Sequence, residues 1–495
     1  RWRPPPPWRC QRRWTTAATA AMATPLTYTL SESTADVTLW TAPVAQRPTT
    51  ADAAPSATRA GLTARLARNE FEAVQVVAVT SRARLAVTWP PAATVTATLG
   101  ARARIDVFTA TFTATRLANA LTPLANGAMA TVPTGGASER LLLWFDIGVG
   151  DAAPAGDHAL PISIGATSFT LTVHVFDFAI PRSPTFKSQF NLGTSAVSSA
   201  LGSVDTAKQA LIEHRWTTKS VPWPSGLKWS IAWESNKNPA GSCGALNDET
   251  TYEGRQYAAG CLTTRYVLGN DKCSPPQIWN DGHGFTNYMV FQFVSNSQTR
   301  PTSFCGEPLG SDQCGTSAYN QQWSNYVTGL RDYLNDNGML ERAYVYVQNE
   351  PQDDNDHRVA HCLCEQYKAA APDLKIAISE EAKSNFIDRN GRPCGYDVYI
   401  AHTGALVRAT LDYAHARLRD HGEETWVYSL DHDVAPLFTP TNTDTAQGIH
   451  YRILTWAAWS ERITGYAYYD ASRWWPSGRP GVTAKLFREA FEDYE

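Results

Sequence analysis

The pattern of apolar and polar positions changes character once along the chain. From about residue 26 to 180 the two classes alternate in short runs, as in Ala73-Val74-Gln75-Val76-Val77-Ala78-Val79 and Ser168-Phe169-Thr170-Leu171-Thr172-Val173-His174-Val175. A period of two places every second side chain on the same face of a strand. Thr and Val dominate these runs, and Gly, Pro and Asp punctuate them, which predicts a β-sandwich. Pro181 and Pro184 mark the boundary.

From residue 185 to 495 short apolar runs alternate with helical stretches, the rhythm of a parallel α/β architecture. The pattern predicts strands at 186–192, 227–233, 288–294, 342–348, 374–379, 398–402, 425–430 and 465–469. Helices are predicted at 206–214, 319–337, 357–371, 405–419, 446–460 and 484–494. Eight strands in this rhythm predict a (β/α)8 TIM-like barrel, so the fold class is multidomain β plus α/β. A Gly-, Asn- and Cys-rich insertion spans about 234–287. Residues 1–25 mix Arg, Pro and Trp and read as a disordered tail or residual leader.

Composition narrows the function. The 17 Trp and 20 Tyr suit carbohydrate, whose C–H faces stack on aromatic rings. The net charge of -4 and the lack of a basic stripe past the first residues argue against nucleic acid. No apolar run reaches the length of about 18 residues that a membrane span needs. Eight of the 9 Cys lie between Cys243 and Cys394 without a zinc-like spacing, so disulfides and a secreted or periplasmic location are expected. His432 between Asp431 and Asp433 has no third ligand at a suitable spacing, so no metal and no cofactor are expected. No Gly-x-Ser-x-Gly elbow follows a strand.

Barrel enzymes carry their chemistry where strands end at the C-terminal face. Here the run Ala343-Tyr344-Val345-Tyr346-Val347 passes straight into Gln348-Asn349-Glu350-Pro351. A carboxyl at that point can be partly desolvated and so kept protonated as a general acid, which glycosidic cleavage requires. Glu350 is therefore the candidate acid catalyst, beside Asn349. Trp426, Trp474 and Trp475 are candidate walls of a sugar site, and Asn191 and His283 are candidate polar contacts.

The run Arg68-Asn69-Glu70-Phe71-Glu72-Ala73-Val74-Gln75-Val76-Val77 resembles the N-terminal β-sandwich signature of family-123 glycoside hydrolases. The later pattern Trp426-Val427-Tyr428, Pro436, Tyr451-Arg452 to Trp456 and Ile463-Thr464-Gly465-Tyr466-Ala467-Tyr468-Tyr469 also fits, so the resemblance covers roughly residues 30 to 495. It implies an exo-acting β-N-acetylgalactosaminidase acting on glycans with a terminal β-linked N-acetylgalactosamine. In such enzymes an Asp-Glu pair works with the substrate's own 2-acetamido group as nucleophile, and Glu is the acid/base. Tyr428 is the candidate partner of the acetamido carbonyl.

This chain has Asn349 where the resemblance implies Asp. An amide oxygen still accepts the acetamido N–H, but without a negative charge to stabilise the cation that forms. Asn followed by Glu also resembles the retaining barrel glycosidases that work by double displacement. Glu350 would then be acid/base, with Glu380, Glu381 or Asp431 as nucleophile about 5 Å away. A third alternative is a non-catalytic carbohydrate-binding protein on a hydrolase scaffold.

Overall fold

The computed structural model describes residues 27–112, 118–133, 140–191, 211–218, 284–289, 300, 302–336, 338–383, 395–428 and 448–468. The chain divides into two compact units, Arg1–Ile180 and Pro181–Glu495.

The first unit is two facing sheets. Seven strands, among them Val37–Ala42, Phe71–Thr80, Arg140–Gly148 and Arg104–Phe112, form one. Five, including Leu62–Arg68, Thr167–Ala179 and Gly156–Ile164, form the other. The alternation works as period two requires: Val76, Ala78, Leu143 and Phe145 of one sheet share a core with Leu66, Val87, Ile162, Leu171 and Val173 of the other. The Arg68-Asn69-Glu70 motif is the turn that carries the chain from one sheet to the other. Asn69 sits at φ 63, a conformation Asn tolerates better than most residues. Glu70 closes the turn by accepting the Ala67 N–H at 2.6 Å. Pattern reading missed one element, the short helix α1, Ala92–Leu99, which buries only Val95 and Leu99.

The second unit is built on seven parallel strands: β1 Lys187–Phe190, β2 Tyr288–Met289, β3 Ala343–Gln348, β4 Lys375–Ile378, β5 Val398–His402, β6 Glu424–Tyr428 and β7 Gly465–Tyr468. Their order in the sheet is β1-β7-β6-β5-β4-β3-β2, so consecutive strands lie side by side except at the two edges, β1 and β2. Asn287, just before β2, reaches across to Ser188 of β1. Its Nδ2 donates to Ser188 O at 2.8 Å and its Oδ1 accepts the Ser188 N–H at 3.3 Å, the two bonds that a neighbouring strand would make. Phe190 also bridges to Thr218 in parallel. The expected strand at 227–233 and helix at 484–494 lie outside the described residues, so an eight-strand closure is not among the described elements.

The helices between strands are α2 Ser317–Asp336, α3 Asp354–Ala370, α4 Arg408–His421 and α5 Gly448–Ser460. The outward side chains Val345, Val347, Ile376 and Ile378 pack under Trp323, Tyr326, Leu363 and Tyr367 of α2 and α3. Full burial of each such side chain contributes about 1.5–3 kcal/mol. Cys314–Cys362 fastens the segment before α2 to α3, and Cys305 and Cys364 are disulfide-bonded as well.

The inward side chains stack in layers. At the floor Glu424 contacts Lys187, lies 3.9 Å from Lys375, and accepts from Trp426 Nε1 at 3.1 Å. Burial raises the Glu424 carboxyl, but Lys187 and these partners outweigh it, and the group sits below its ordinary range. Above the floor come Tyr344, bonded to Gln189, with Met289, Ala377, Val398, Ile400 and Ala467. The next layer lies where the strands end. Among the described residues, no helix is long and apolar enough to cross a membrane.

Candidate active site

Two backbone irregularities bring Asn349 and Glu350 to the same place. In a regular strand, side chains three apart point to opposite faces. The pairing of β3 with β4 slips between Tyr346 and Gln348, so that Tyr346 lies opposite Ala377 and Gln348 opposite Ile378. Such a bulge re-aims the following side chain. As a result Tyr346 and Asn349 share a face, and Tyr346 Oη donates to Asn349 Oδ1 at 3.0 Å.

Glu350 then adopts φ 42, a left-handed conformation for a bulky residue. Such backbone costs about 1–3 kcal/mol and gathers at functional sites. It is held from both sides. Gln352 Nε2 donates to Glu350 O at 2.7 Å. Asp353 caps α3 by accepting the N–H groups of Asn355 and Asp356, each at 2.9 Å. The turn lets Glu350 meet Tyr428 at the end of β6, whose Oη donates to Glu350 Oε1 at 2.6 Å.

Both phenols are firmly protonated. Burial raises Tyr428 far above its ordinary value, and the bond to Glu350 raises it further. Burial does the same to Tyr346. Ser379, buried just beyond β4, interacts with both phenols. His402, at the end of β5, packs its ring 5.2 Å from that of Tyr428 and accepts the Gly404 N–H on Nδ1 at 3.2 Å.

Glu380 and Glu381 follow Ser379, and both are paired with Lys383, at 2.6 and 2.9 Å. Burial, then a hydrogen bond shared with Glu381, pushes Glu380 up to about 7, against the pull of Lys383. Burial raises Glu381 as well, but the bonds with Glu380 and Lys383 outweigh it, and Glu381 stays below its ordinary range. Between the ordinary carboxylate range and about pH 7 the pair thus holds one proton and one charge.

The structure therefore joins Glu350, Asn349 and Tyr428, which the sequence singled out. Tyr428, expected at an acetamido carbonyl, is bonded to Glu350 here. Trp426 requires a correction: it is not a wall of the site. It is 1% exposed, one layer below Tyr428, with its ring on Tyr344 and its N–H on Glu424. Asn191 continues β1, with its N–H on Tyr468 O at 3.0 Å and its side chain half-buried. His283, Trp474, Trp475 and Asp431 lie outside the described residues. Sequence reading missed Tyr346, Ser379 and His402. The available signal was parity, since each falls on the inward set of its strand: Tyr344 and Tyr346, Lys375 and Ser379, Val398 and His402. Among the described residues, no group of three His, Cys, Asp or Glu side chains forms a metal site.

A strand-end carboxyl beside an amide, both held by phenols, is an arrangement suited to acid/base work on a glycosidic bond. Comparison with known proteins agrees. Residues 292–491 match the model of the glycoside hydrolase 123 catalytic domain. Over those residues the second unit is similar to the glycoside hydrolase 123 catalytic domain. A solved structure of a family 123 glycoside hydrolase from Clostridium perfringens, described for glycolipid glycan hydrolysis, superposes with a TM-score of 0.52. It has 10% identity and covers 87% of this chain and 78% of its own. At that identity the likeness concerns the fold. A β-D-glucuronidase from Dictyoglomus thermophilum (10% identity, 90% of this chain and 62% of its own) reaches a TM-score of 0.22. A β-glucosidase from Listeria innocua (13% identity, 29% and 16%) reaches 0.15. Those two scores are too low to bear on the fold. No curated protein matches.

Proposed function

We propose that this chain is a glycoside hydrolase of family 123, an exo-acting, retaining β-N-acetylgalactosaminidase that uses the 2-acetamido group of its substrate as the nucleophile. The observation that carries this reading is the pairing of Glu350 with Asn349 at the end of β3, each held by its own phenol.

As the general acid, Glu350 gives a proton to the glycosidic oxygen as that oxygen leaves C1. The acetamido oxygen attacks C1 from the other face and forms an oxazolinium. Asn349 Oδ1 already accepts from Tyr346 and has a second lone pair for the acetamido N–H. Glu350, now a carboxylate, receives the Tyr428 hydrogen bond and then takes a proton from the water that opens the ring. Tyr428 has one proton, so it cannot serve Glu350 and the acetamido carbonyl together. A neutral Glu350 does not need it, which frees the phenol for the carbonyl in the first step.

The substrate class is a glycan or glycoconjugate with terminal β-linked N-acetylgalactosamine. The reading includes a (β/α)8 barrel, supported by the parallel Phe190–Thr218 bridge on the outer side of β1. It also includes export, supported by Cys305, Cys314, Cys362 and Cys364 in disulfides. A thiazoline analogue of the cyclised sugar tests the mechanism, because transition-state-like ligands bind far more tightly than substrate. It should inhibit competitively well below KM, and failure to inhibit would contradict substrate assistance.

One observation favours a second reading, double displacement. Lys383 helps keep Glu381 ionised just past the end of β4, as a nucleophile requires. A 2-fluoro glycoside would then label Glu380, Glu381 or Asp431, and mass spectrometry would find the ester. Absence of turnover on every glycoside would leave the carbohydrate-binding alternative.

A further inference from the structure

The contact between His402 and Tyr428 belongs to no step described so far. His402 ends β5 on the inward set after Val398 and Ile400, and its ring meets Tyr428 at a centroid distance of 5.2 Å with an interplanar angle of 61°. That edge-to-face geometry is a preferred one for aromatic pairs, so it resists rotation of either ring. The imidazole is itself fixed. Nδ1 accepts the Gly404 N–H at 3.2 Å, so the neutral ring carries its proton on Nε2. His402 also caps the 3-10 turn Thr403–Ala405 in this way. A Cβ placed on Gly404 would lie 2.9 Å from His402 Nδ1 and 3.0 Å from Cε1, so residue 404 is small where the ring needs the room.

Tyr428 is a long lever. Its backbone is fixed in β6, paired with His402 across the ladder, and its hydroxyl must reach Glu350 within hydrogen-bond distance. A small rotation of the phenol ring moves Oη off that mark, and a hydrogen bond weakens steeply with misalignment.

We propose that His402 is a positioning residue that sets the ring of Tyr428, and through it the hydrogen bond to Glu350, with Gly404 holding the imidazole in place. No bond is made or broken by His402, and no proton passes through it. The proposal rests on the reading of Glu350 as acid/base.

The test compares His402→Ala, His402→Phe and Gly404→Ala, with Tyr428→Phe and Glu350→Gln as references, on a chromogenic β-N-acetylgalactosaminide. Thermal melting checks that each variant is folded. His402→Ala should lower kcat about tenfold or more, the worth of a hydrogen bond to a charged group, with little change in KM. His402→Phe keeps a ring against Tyr428 and should recover most of that loss. Gly404→Ala, at an exposed position, should lower kcat several-fold by displacing the imidazole. The double variant His402→Ala, Tyr428→Phe should lose no more than Tyr428→Phe alone, because His402 acts through Tyr428. If His402→Ala does not fold, Gly404→Ala and its double with Tyr428→Phe carry the same comparison. Additive losses, a wild-type kcat in Gly404→Ala, or a rise in KM at constant kcat each overturn the proposal. Should Glu350→Gln retain turnover, the assignment of Glu350 fails; an inert His402 in an enzyme that Glu350→Gln inactivates defeats the positioning role alone.

Discussion

Tyr428 and Glu350, 78 residues apart in sequence, are joined by a 2.6 Å hydrogen bond in which the phenol donates to Oε1 of the carboxylate. A donor of this kind stabilises the ionised carboxylate over the neutral acid. Tyr428→Phe removes it while keeping the ring. Turnover should then fall by about tenfold or more, because the carboxylate left when Glu350 gives up its proton loses its donor. Steady-state kinetics equal to those of the wild type would show that the bond plays no part in turnover.

Asn349 stands where family-123 enzymes are expected to carry Asp, and its Oδ1 accepts from Tyr346. Asn349→Ala should reduce kcat by about tenfold or more, since the acetamido group loses a hydrogen-bonding partner that an ordinary site values at about 1 kcal/mol and a reacting one at more. Asn349→Asp keeps the acceptor and adds a charge, so it should retain activity with a shifted pH optimum. Steady-state kinetics on one substrate across pH checks both. Equal, severe losses in the two variants would mean that residue 349 serves the fold instead.

How much of this was legible beforehand differs from element to element. The apolar run ending at Gln348 announced β3 and the position of Glu350, because a buried strand has a composition that needs no partner to be recognised. The bulge that turns Asn349 inward depends on the register against β4, and register is set by two strands together. The φ of Glu350 likewise follows from the packing of the turn into α3, not from the residue. Trp426 was misread because it neighbours Tyr428 in sequence. Two residues along a strand is one layer in a barrel, which puts that ring in the core. Ser379 and His402 are single polar residues without a motif, and only their inward parity distinguishes them.

The proton shared by Glu380 and Glu381 makes stability depend on pH. Glu380 titrates near pH 7 in the folded protein against an ordinary 4.5. Between those values the folded state binds more protons than the unfolded one, so stability falls as pH rises through this window. Glu381, held below its ordinary range, acts in the opposite direction but only at lower pH. Glu380→Gln removes the dependence. Wild type and variant should melt alike near pH 5, and the variant should be the more stable at pH 8. A melting difference that does not change with pH would rule out the shared proton.

Cys314 and Cys362 close a loop with a sequence separation of 48. In the chain-entropy view a crosslink of that span is worth about 4 kcal/mol. Replacing both cysteines by serine should lower the denaturant midpoint of the second unit without abolishing activity, because the link joins α3 to the segment before α2 rather than to the strand ends that carry the site. An unchanged midpoint would show that the crosslink does not constrain the unfolded chain.

In the proposed mechanism the nucleophile belongs to the sugar. The most direct test is turnover of two nitrophenyl β-glycosides that differ only at C2, the N-acetylgalactosaminide and the galactoside. An internal nucleophile held for attack is worth many orders of magnitude over an absent one, so kcat/KM should favour the N-acetyl sugar by at least about 10³-fold. Comparable turnover of the two would contradict the account, because the galactoside has no acetamido group and its cleavage would require a carboxylate of the protein in that role.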